Sequence, residues 1–337
     1  MKVFQIQDDW SMDHLKIAER RRPQAGPGEV LLQMKAASIN YRDLLVPLRG
    51  YGSFTGTLPL VPISDGVGEV VEIGADVTRV SPGDRVCPMF MQKWIAGEPD
   101  LKRITSTLGG PLDGVMQEFM VVHEEGIAKA PEHLGDEEAA TLPCAALTAW
   151  SALVAEGGVK AGDRVLVQGT GGVSLFALQF AKLLGAKVIV LSSSDDKLKQ
   201  AAGLGADDGI NYSNVPDWGK AVKKWAGGDG VDHIVEVGGE KTLPQSLRAI
   251  RPGGTISMIG VLSGATMEVG LGLIVTRKVR LQGITVGHRD SFEAMTRAIT
   301  QHRVKPTIDR IFAFEELKEA MGYLRQGKHF GKICIRF

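Results

Sequence analysis

The segment from residue 164 to residue 197, RVLVQGTGGVSLFALQFAKLLGAKVIVLSSSDDK, constrains the fold of this chain more than any other. An apolar run ends in glycines, a run with helical spacing follows, and a second apolar run leads into three serines. Two buried strands joined by a helix form a βαβ unit, in which the strands lie parallel. The spacing predicts strands over 164–169 and 187–191 and a helix over 173–184.

The same alternation continues along the middle of the chain. Further strands are expected over 231–238 and 254–260, and further helices over 195–204 and 243–250. Near-continuous apolar strands separated by helices are typical of a parallel sheet that is covered on both faces. The middle of the chain is therefore predicted to be a doubly wound α/β domain.

The rest of the chain has a different pattern. Over roughly the first 125 residues, short strand-like segments alternate with Gly-Pro, Pro-Gly-Asp and Gly-Ala-Asp steps, which predicts a β-rich, barrel-like domain. The tail has a helical run over 291–302, a second one in FEELKEAMGYLRQG and a closing strand, KICIRF, and we expect it to return to the first domain. The predicted division is 1–127 with 287–337 for the β-rich domain and 128–286 for the α/β domain.

Composition excludes several classes of partner. The chain has 39 basic and 39 acidic side chains, so no broad positive field favours nucleic acid or anionic lipid. No apolar run reaches the roughly 18 residues of a membrane span, and no signal peptide is recognisable. Cys87, Cys144 and Cys334 are far apart and odd in number, which favours free thiols in a reducing cytosol over a disulfide framework.

A glycine pattern follows the first strand of the βαβ unit. Gly169, Gly171 and Ser174 form G-x-G-x-x-S, with Gly172 and Val173 inside it. A dinucleotide loop needs this arrangement, because its backbone approaches a pyrophosphate and the next helix directs free N–H groups at the phosphates. Ser174 is small enough for the third position, where helix and strand pack closely. We predict that Gly169, Gly171, Gly172 and Val173 bind a dinucleotide; a glycine turn without a ligand is the alternative.

The three serines at the end of the second strand bear on which dinucleotide is bound. A NAD site has an acid about 20 residues after the glycines, where it accepts hydrogen bonds from the adenosine ribose. Here that position falls near Ser192, whose hydroxyl would not repel a ribose phosphate, and Lys197 adds positive charge. The pattern favours NADP(H) over NAD(H). In the alternative, Asp195 or Asp196 is the acid, although both suit N-terminal helix capping better.

Several longer stretches resemble a known family: GEVLLQMKAASINYRD, PLVPISDGVGEVVEIGADVTRVSPGDRV, AATLPCAALTAWSAL, the VLVQGTGGVS loop and the closing GKICIRF. They resemble the medium-chain dehydrogenase/reductase superfamily, and in particular its zinc-free, quinone-oxidoreductase-like branch, over essentially the whole chain. The resemblance implies a GroES-like β-barrel domain and a Rossmann domain, with the nicotinamide in the cleft between them. It also implies that Lys197 and Tyr212 hold the ribose phosphate of NADP(H), unless Tyr212 is only a packing aromatic.

The same resemblance bears on zinc. In zinc-binding members of the superfamily, catalytic ligands stand at the positions of Asn40, Ser64 and Cys144 in this chain, so only Cys144 matches. One soft ligand alone does not hold a catalytic zinc. The cysteine-rich lobe that binds structural zinc is also missing, because residues 91–113 contain no cysteine, and the histidines are scattered singly. We therefore expect no metal site.

Without zinc, alcohol oxidation loses its main catalyst. What remains is hydride transfer from a reduced nicotinamide to a reactive acceptor, a quinone or an α,β-unsaturated carbonyl. Such a reduction needs a proton donor to the developing oxyanion, and the resemblance implies that Tyr51 takes this role, as a tyrosine does in zinc-free enoyl reductases. Asn40 is expected to border the nicotinamide and substrate, and Thr148 to contact the nicotinamide end. Alternatively, Tyr51 only lines the pocket and Asn40 caps a turn.

Two further strand ends are expected near the cofactor. Gly238 follows the strand VDHIVEV, and Gly260 with Val261 ends GTISMIG. Ligands of open α/β sheets bind beyond the carboxyl ends of the strands, so backbone amides at these positions are predicted to hold the nicotinamide amide. Ordinary strand-to-loop glycines are the alternative.

The sequence therefore predicts an NADP(H)-dependent oxidoreductase whose substrate is a small-molecule carbonyl compound or a quinone. Two other functions stay open, a zinc-independent alcohol or aldehyde dehydrogenase and a nonenzymatic NADPH-binding protein. The resemblance also implies a homodimer, formed by continuation of the sheet through residues 260–285.

Overall fold

The computed structural model describes all residues from 1 to 337. They form fifteen strands and eleven α-helices. The strands are, in chain order, β1 (Lys2–Ile6), β2 (Leu15–Glu19), β3 (Glu29–Ile39), β4 (Asp65–Ile73), β5 (Arg85–Pro88), β6 (Phe119–His123), β7 (Ile127–Lys129), β8 (Arg164–Gln168), β9 (Lys187–Ser192), β10 (Asp208–Asn211), β11 (Val231–Glu236), β12 (Ile250–Met258), β13 (Arg280–Gly283), β14 (Ile308–Ala313) and β15 (Lys332–Arg336). The α-helices are α1 (Tyr41–Leu45), α2 (Leu101–Ile104), α3 (Asp136–Ala140), α4 (Leu147–Trp150), α5 (Gly172–Leu183), α6 (Asp195–Gly203), α7 (Trp218–Trp225), α8 (Leu243–Ala249), α9 (Leu271–Thr276), α10 (Arg289–His302) and α11 (Leu317–Arg325). None of these helices has the length and apolar character needed to cross a bilayer.

The chain divides into two compact units, Met1–Leu147 with Val286–Phe337, and Thr148–Thr285. The first change of unit thus comes after Leu147, whereas the sequence places it after residue 127. Residues 128–147 belong to the first unit because β7 pairs with β5 and α3 packs on β3 and β4. These contacts are long-range, and the local pattern does not reveal them.

A seven-stranded sheet forms the frame of the first unit, in the order β14-β15-β3-β4-β5-β7, with β6 also paired to β3. β3 organises this sheet, because it pairs with β15, β4 and β6, and its pairing with β4 shifts register at two places. Register shifts of this kind occur at β-bulges, which curve a sheet toward a barrel. Apolar residues of these strands, among them Val30, Leu32, Val70 and Ile335, form one buried core. The GroES-like part of the predicted fold is confirmed.

The second unit contains a six-stranded parallel sheet in the order β10-β9-β8-β11-β12-β13. From β8 the chain moves outward to β9 and β10 and then returns to β11, so the switch point lies between β8 and β11. Leu166, Ile189, Ile234 and Ile256 lie on adjacent central strands and are fully buried, as expected for a sheet covered on both faces. The Rossmann-type fold is confirmed, and ligands of such sheets bind at the carboxyl ends of the strands beside the switch point.

Candidate functional site

The glycine loop joins β8 to α5 at the switch point. Gly169 has a φ of +74°, a left-handed conformation that favours glycine. A side chain at Gly171 would point into open space, since nothing lies within 4 Å of the place of its Cβ. α5 begins at Gly172, and the first N–H groups of a helix, here those of Gly172 and Val173, have no partner within it. The loop therefore offers backbone donors and a positive dipole end, which suit a pyrophosphate.

Ser174 ties this loop to the end of β8. Its hydroxyl donates to the Gln168 carbonyl oxygen at 2.7 Å, and its side chain is buried. A small residue is thus needed here for helix–strand packing, and the hydroxyl adds a hydrogen bond that an alanine or glycine would lack. The bond fixes the start of α5 on the strand.

Ser192 and Tyr212 meet at the carboxyl ends of β9 and β10, and Lys197 follows in the first turn of α6. Ser192 pairs with Asn211 in the parallel register, and the Tyr212 N–H donates to the Ser192 carbonyl oxygen at 3.0 Å. Tyr212 is 43% exposed, and its role as a phosphate-binding or a packing residue stays a prediction. The end of β9 is therefore bordered by the residues Ser192 and Tyr212, and the helix that follows contains Lys197 in its first turn.

The acids that follow the serines have other partners. Ser194 is the N-cap of α6, and its hydroxyl accepts from a backbone N–H of the first turn at 3.4 Å. The expectation that Asp195 or Asp196 caps the helix is therefore wrong, because both lie inside its first turn. Asp195 Oδ1 accepts from Asn211 Nδ2 at 2.9 Å, and Asp196 Oδ1 lies 3.6 Å from Lys199 Nζ.

The three serines differ in exposure. The Ser192 side chain is buried, and its hydroxyl oxygen accepts from the Ser194 N–H at 3.2 Å. Its O–H proton is still available to another acceptor, because a hydroxyl donates and accepts independently. Ser193 is the exposed member of the three, and the sequence analysis does not single it out. Spacing from the glycines favours Ser192, but it does not indicate which of the three side chains is exposed.

A buried carboxylate that local sequence patterns do not predict lies at the end of β11. Glu236 has no exposed surface. Its Oε1 accepts from the Gly238 N–H at 2.9 Å and from the Gly239 N–H at 3.1 Å. A buried carboxylate requires hydrogen-bond donors, and these two backbone amides serve as donors. Both N–H groups therefore have partners inside the protein. This corrects the expectation that the amide of Gly238 is free to hold a nicotinamide.

Gly260 has a packing role at the end of β12. A Cβ at this position would come within 2.3 Å of the Val237 carbonyl oxygen, so only glycine fits. The Gly260 N–H donates to the Glu236 carbonyl oxygen at 3.3 Å, and it too has a partner within the protein. Val261 differs, because its side chain is exposed beyond the strand end.

The half-buried Asn40 and the buried Lys332 form a hydrogen-bonded pair in the first unit. Lys332 Nζ donates to Asn40 Oδ1 at 2.5 Å and to the Ile39 carbonyl oxygen at 2.7 Å. Asn40 Nδ2 donates to Ser64 Oγ at 3.4 Å, so both ends of this amide have partners. Asn40 is also the N-cap residue of α1, and its backbone N–H donates to Asp43 Oδ2 at 2.8 Å. The Asn40 side chain itself makes no capping hydrogen bond, so the alternative in which it caps the turn is not supported.

Asp65 lies beside this pair and is fully buried. Its Oδ1 accepts from Ser64 Oγ at 2.8 Å, and its Oδ2 accepts from the Cys144 N–H at 2.9 Å. Burial raises the pKa of Asp65, and the charge of Lys332 lowers it. Burial also raises the pKa of the Cys144 thiol, as does the charge of Asp65. In the absence of a metal ion, both effects favour the neutral thiol of Cys144.

The donors of Asn40, Ser64 and Cys144 do not fit a zinc site. Asn40 Oδ1 accepts from an ammonium and the Ser64 hydroxyl donates to a carboxylate, so of the three residues only Cys144 carries a group that zinc binds. Zinc binds thiolate, imidazole or carboxylate groups, usually three or four together. No group of three or more His, Cys, Asp or Glu side chains in the chain is arranged to hold a metal ion.

Tyr51 lies on an exposed turn and contacts a fixed guanidinium. Its side chain is 42% exposed, and Arg42 Cζ lies 5.6 Å from the ring centroid. Arg42 donates to the carbonyl oxygens of Leu108 at 2.8 Å and Gly110 at 3.1 Å. Partial burial raises the pKa of the Tyr51 phenol, and the charge of Arg42 opposes this shift. A protonated phenol beside a cation is able to donate a proton when negative charge develops on a nearby oxygen.

Thr148 is the first residue of the second unit and is almost completely buried in α4. This helix lies between two π-helical turns, Leu142–Ala146 and Ser151–Ala155. Such turns are frequent at functional sites. A contact between Thr148 and a nicotinamide stays a prediction.

Two stretches of the chain match known protein families. Residues 26–132 match the alcohol dehydrogenase GroES-like domain, and residues 172–301 match the zinc-binding dehydrogenase family. Among curated proteins, the zinc-type alcohol dehydrogenase-like protein C1773.06c of Schizosaccharomyces pombe is 43% identical, over 99% of this chain and 98% of its own length. The zinc-type alcohol dehydrogenase-like protein YogA of Leptosphaeria maculans is 34% identical, over 93% and 92%.

Solved structures are similar over the whole chain. A proposed alcohol dehydrogenase from Sinorhizobium meliloti 1021 is 45% identical, with a TM-score of 0.94, and the match covers 100% of this chain and 98% of that one. A structure described as an NAD-dependent alcohol dehydrogenase is 31% identical, with a TM-score of 0.91 and complete coverage of both chains.

Proposed function

Because this chain belongs to the medium-chain dehydrogenase/reductase superfamily and is an alcohol dehydrogenase-like oxidoreductase, we propose that it reduces quinones or α,β-unsaturated carbonyls with NADPH and without zinc. The observation that carries this proposal is the hydrogen bond that the Lys332 ammonium donates to Asn40 Oδ1. Zinc-binding members of the superfamily have a zinc ligand at the position of Asn40. An acceptor that is already electrophilic needs no metal to polarise it.

The choice of NADPH is supported by the residues at the end of β9. The position of the usual ribose-binding acid carries Ser192, and the next acid along the chain, Asp195, accepts a hydrogen bond from Asn211. We propose that Ser192, Lys197 and Tyr212 hold the ribose phosphate. The glycine loop, Gly169 to Val173, would hold the pyrophosphate through its backbone N–H groups.

The catalytic residues are proposed on the first unit. The nicotinamide supplies a hydride when it is bound, and the chain has to supply a proton at the oxygen that gains negative charge. Tyr51 is the proposed donor, because its phenol is protonated and partly exposed. The guanidinium of Arg42 beside the ring would stabilise the phenolate that remains. Asn40 is proposed to border the reacting groups, with its amide orientation set by Lys332.

Turnover of NADPH with a panel of acceptors tests this function. The purified protein is mixed with NADPH and, separately, with quinones, enones and aldehydes, and the loss of NADPH absorbance is followed. Consumption with quinones or enones supports the proposal. Consumption with aldehydes alone contradicts it in favour of a zinc-independent alcohol or aldehyde dehydrogenase. NADPH binding without consumption of any acceptor contradicts it in favour of a nonenzymatic binding protein.

The alcohol or aldehyde dehydrogenase is the second candidate because of one relative. The solved structure that is 31% identical to this chain over its full length is described as an NAD-dependent alcohol dehydrogenase. The same assay in reverse, with NADP⁺ or NAD⁺ and a panel of alcohols, therefore belongs beside the reduction assay. Alcohol oxidation faster than enone reduction would favour this second candidate.

We also propose a homodimer that forms at the free edge of the parallel sheet. β13 pairs only with β12, so its outer edge has unpaired backbone groups. Leu281 on this strand and Leu271 and Val275 on α9 are exposed, and a second copy would bury them. Val275→Glu is expected to convert the dimer to a monomer in size-exclusion chromatography with light scattering. A monomeric wild-type protein would contradict this proposal.

A further inference from the structure

One buried carboxylate connects the two loops at the switch point of the second unit. Glu236 has no exposed surface and accepts five hydrogen bonds of 2.5 to 3.1 Å. The donors are the N–H groups of Gly238 and Gly239 and the side chains of Gln168, Thr242 and Ser246. A carboxylate without these donors would be very unfavourable at this depth. Its charge therefore holds the whole group of donors in place.

Gln168 extends this network to the glycine loop. Its Nε2 donates to Glu236 Oε2 at 2.7 Å, and its Oε1 accepts from the Val237 N–H at 3.3 Å. Its backbone carbonyl oxygen accepts from the Ser174 hydroxyl at 2.7 Å. Since Gln168 directly precedes Gly169, a continuous set of hydrogen bonds runs from the start of α5 to the turn after β11.

We infer that Glu236 and Gln168 are positioning residues that fix the glycine loop and the 237–242 turn relative to each other before a dinucleotide binds. The inference rests on the proposed function, because it takes the glycine loop to bind the dinucleotide. The polar atoms of both side chains have partners within the protein, so these residues act through the two loops. A preformed site loses less conformational entropy on binding, and its affinity is higher.

The carboxylate at position 236 is not replaceable by an amide of the same shape. The Glu236→Gln substitution leaves one acceptor oxygen where two now accept five bonds. The new NH₂ group would face the NH₂ group of Gln168, which also only donates. Buried donors without an acceptor are strongly unfavourable, so the turn is expected to open locally.

Hydrogen exchange and cofactor affinity of Glu236→Gln test the inference. In the cofactor-free protein, exchange of the Gly238 and Gly239 amides is expected to accelerate about tenfold or more, and the NADPH dissociation constant to rise about tenfold. Glu240→Gln is the matched control, because it removes an exposed carboxylate from the same turn without entering the network. Both quantities are expected to stay at the wild-type values in this control.

The exchanged pair, Glu236→Gln together with Gln168→Glu, separates positioning from simple loss of stability. In this pair the new amide donates across to the new carboxylate. An oxygen at position 168 can still accept from the Val237 N–H, and one at position 236 from the Gly238 and Gly239 N–H groups. The exchange rates of the Gly238 and Gly239 amides and the NADPH dissociation constant are expected to return to within about threefold of the wild-type values. Should Glu236→Gln fail to fold, Thr242→Val removes a single donor at the edge of the network and is expected to weaken NADPH binding about threefold.

Two results would overturn the inference, and they are distinguishable. If wild type binds NADPH and Glu236→Gln loses global stability but binds NADPH as tightly, the residues are merely structural and only the inference fails. If wild type binds neither NADPH nor NADH, the proposed function fails and the inference falls with it.

Discussion

The Lys332 ammonium donates to Asn40 Oδ1 at 2.5 Å while only 3% of the Lys332 residue surface is exposed. The same charge lowers the pKa of Asp65, which burial raises. An ammonium of the protein itself therefore compensates the buried acids of the first unit. No metal is needed to balance these charges.

Removal of this ammonium is expected to destabilise the first unit. Lys332→Met leaves Asp65 without its compensating cation and Asn40 Oδ1 without its donor, so the free energy of unfolding should fall by about 3 kcal/mol. Urea unfolding measures the difference. Lys328→Met, which removes an exposed lysine nearby, should change it by less than about 0.5 kcal/mol. Equal stability of the two variants would contradict the compensating role.

Asp43 makes stability depend on pH. Burial raises the pKa of its carboxyl from 3.8 to about 6, although the charge of Arg42 opposes the shift. Because the folded chain holds this proton more tightly than the unfolded chain, the free energy of unfolding falls as pH rises from about 4 to about 6. The loss for this group amounts to about 3 kcal/mol and is complete above its folded pKa.

Asp43→Asn isolates this contribution. The amide keeps an acceptor for the Asn40 N–H but carries no charge, so the variant should match wild type near pH 4 and exceed it by up to about 3 kcal/mol at pH 8. Urea unfolding at both pH values gives the two differences. Asp13→Asn, at an exposed position, is the control and should change the free energy of unfolding only slightly at either pH. A gain that is the same at pH 4 and pH 8 would exclude Asp43 as its source.

Tyr51→Phe tests the proposed proton donor. Loss of the phenol should lower kcat for an enone about 100-fold, while the dissociation constant of NADPH stays unchanged. Stopped-flow and steady-state assays with the same enone measure both quantities. Tyr41→Phe removes the hydroxyl of another exposed tyrosine and should leave kcat unchanged. Full turnover by the Tyr51 variant would reduce Tyr51 to a lining residue.

Ser192→Asp tests the choice of cofactor. A carboxylate at the end of β9 would repel the ribose phosphate and would accept hydrogen bonds from an unphosphorylated ribose. The ratio of NADPH to NADH affinity should therefore fall by about tenfold or more. Fluorescence titration of wild type and variant with both cofactors gives this ratio. Tighter binding of NADH than of NADPH by wild type would overturn the serine argument.

Sequence patterns predict the central strands well and the edge strands poorly. The strands expected over 164–169 and 187–191 are Arg164–Gln168 and Lys187–Ser192, because strands buried on both faces are nearly continuous apolar runs. β10 and β13 are not predicted. They lie at the two edges of the sheet and consist of the short, partly or fully exposed segments DGIN and RLQG, which carry no apolar pattern.

Some residues of the candidate site are likewise predictable from the sequence, and others are not. The glycine loop and the serines follow directly from the order of strand, loop and helix, so local spacing is sufficient to place them. Glu236 and Lys332 are found only in the structure, because their partners Gln168 and Asn40 lie 68 and 292 residues away in the chain. The only sequence signal is a charged residue within an apolar strand, in HIVEVG and KICIRF, where such residues are rare unless they are paired.

The central claim, NADPH-dependent reduction without zinc, is tested most directly by metal analysis and enone turnover on one purified sample. We expect less than about one zinc atom per ten chains and an NADPH oxidation rate that a strong chelator leaves unchanged. Stoichiometric zinc, or activity that is lost with the chelator and restored by added zinc, would contradict the account.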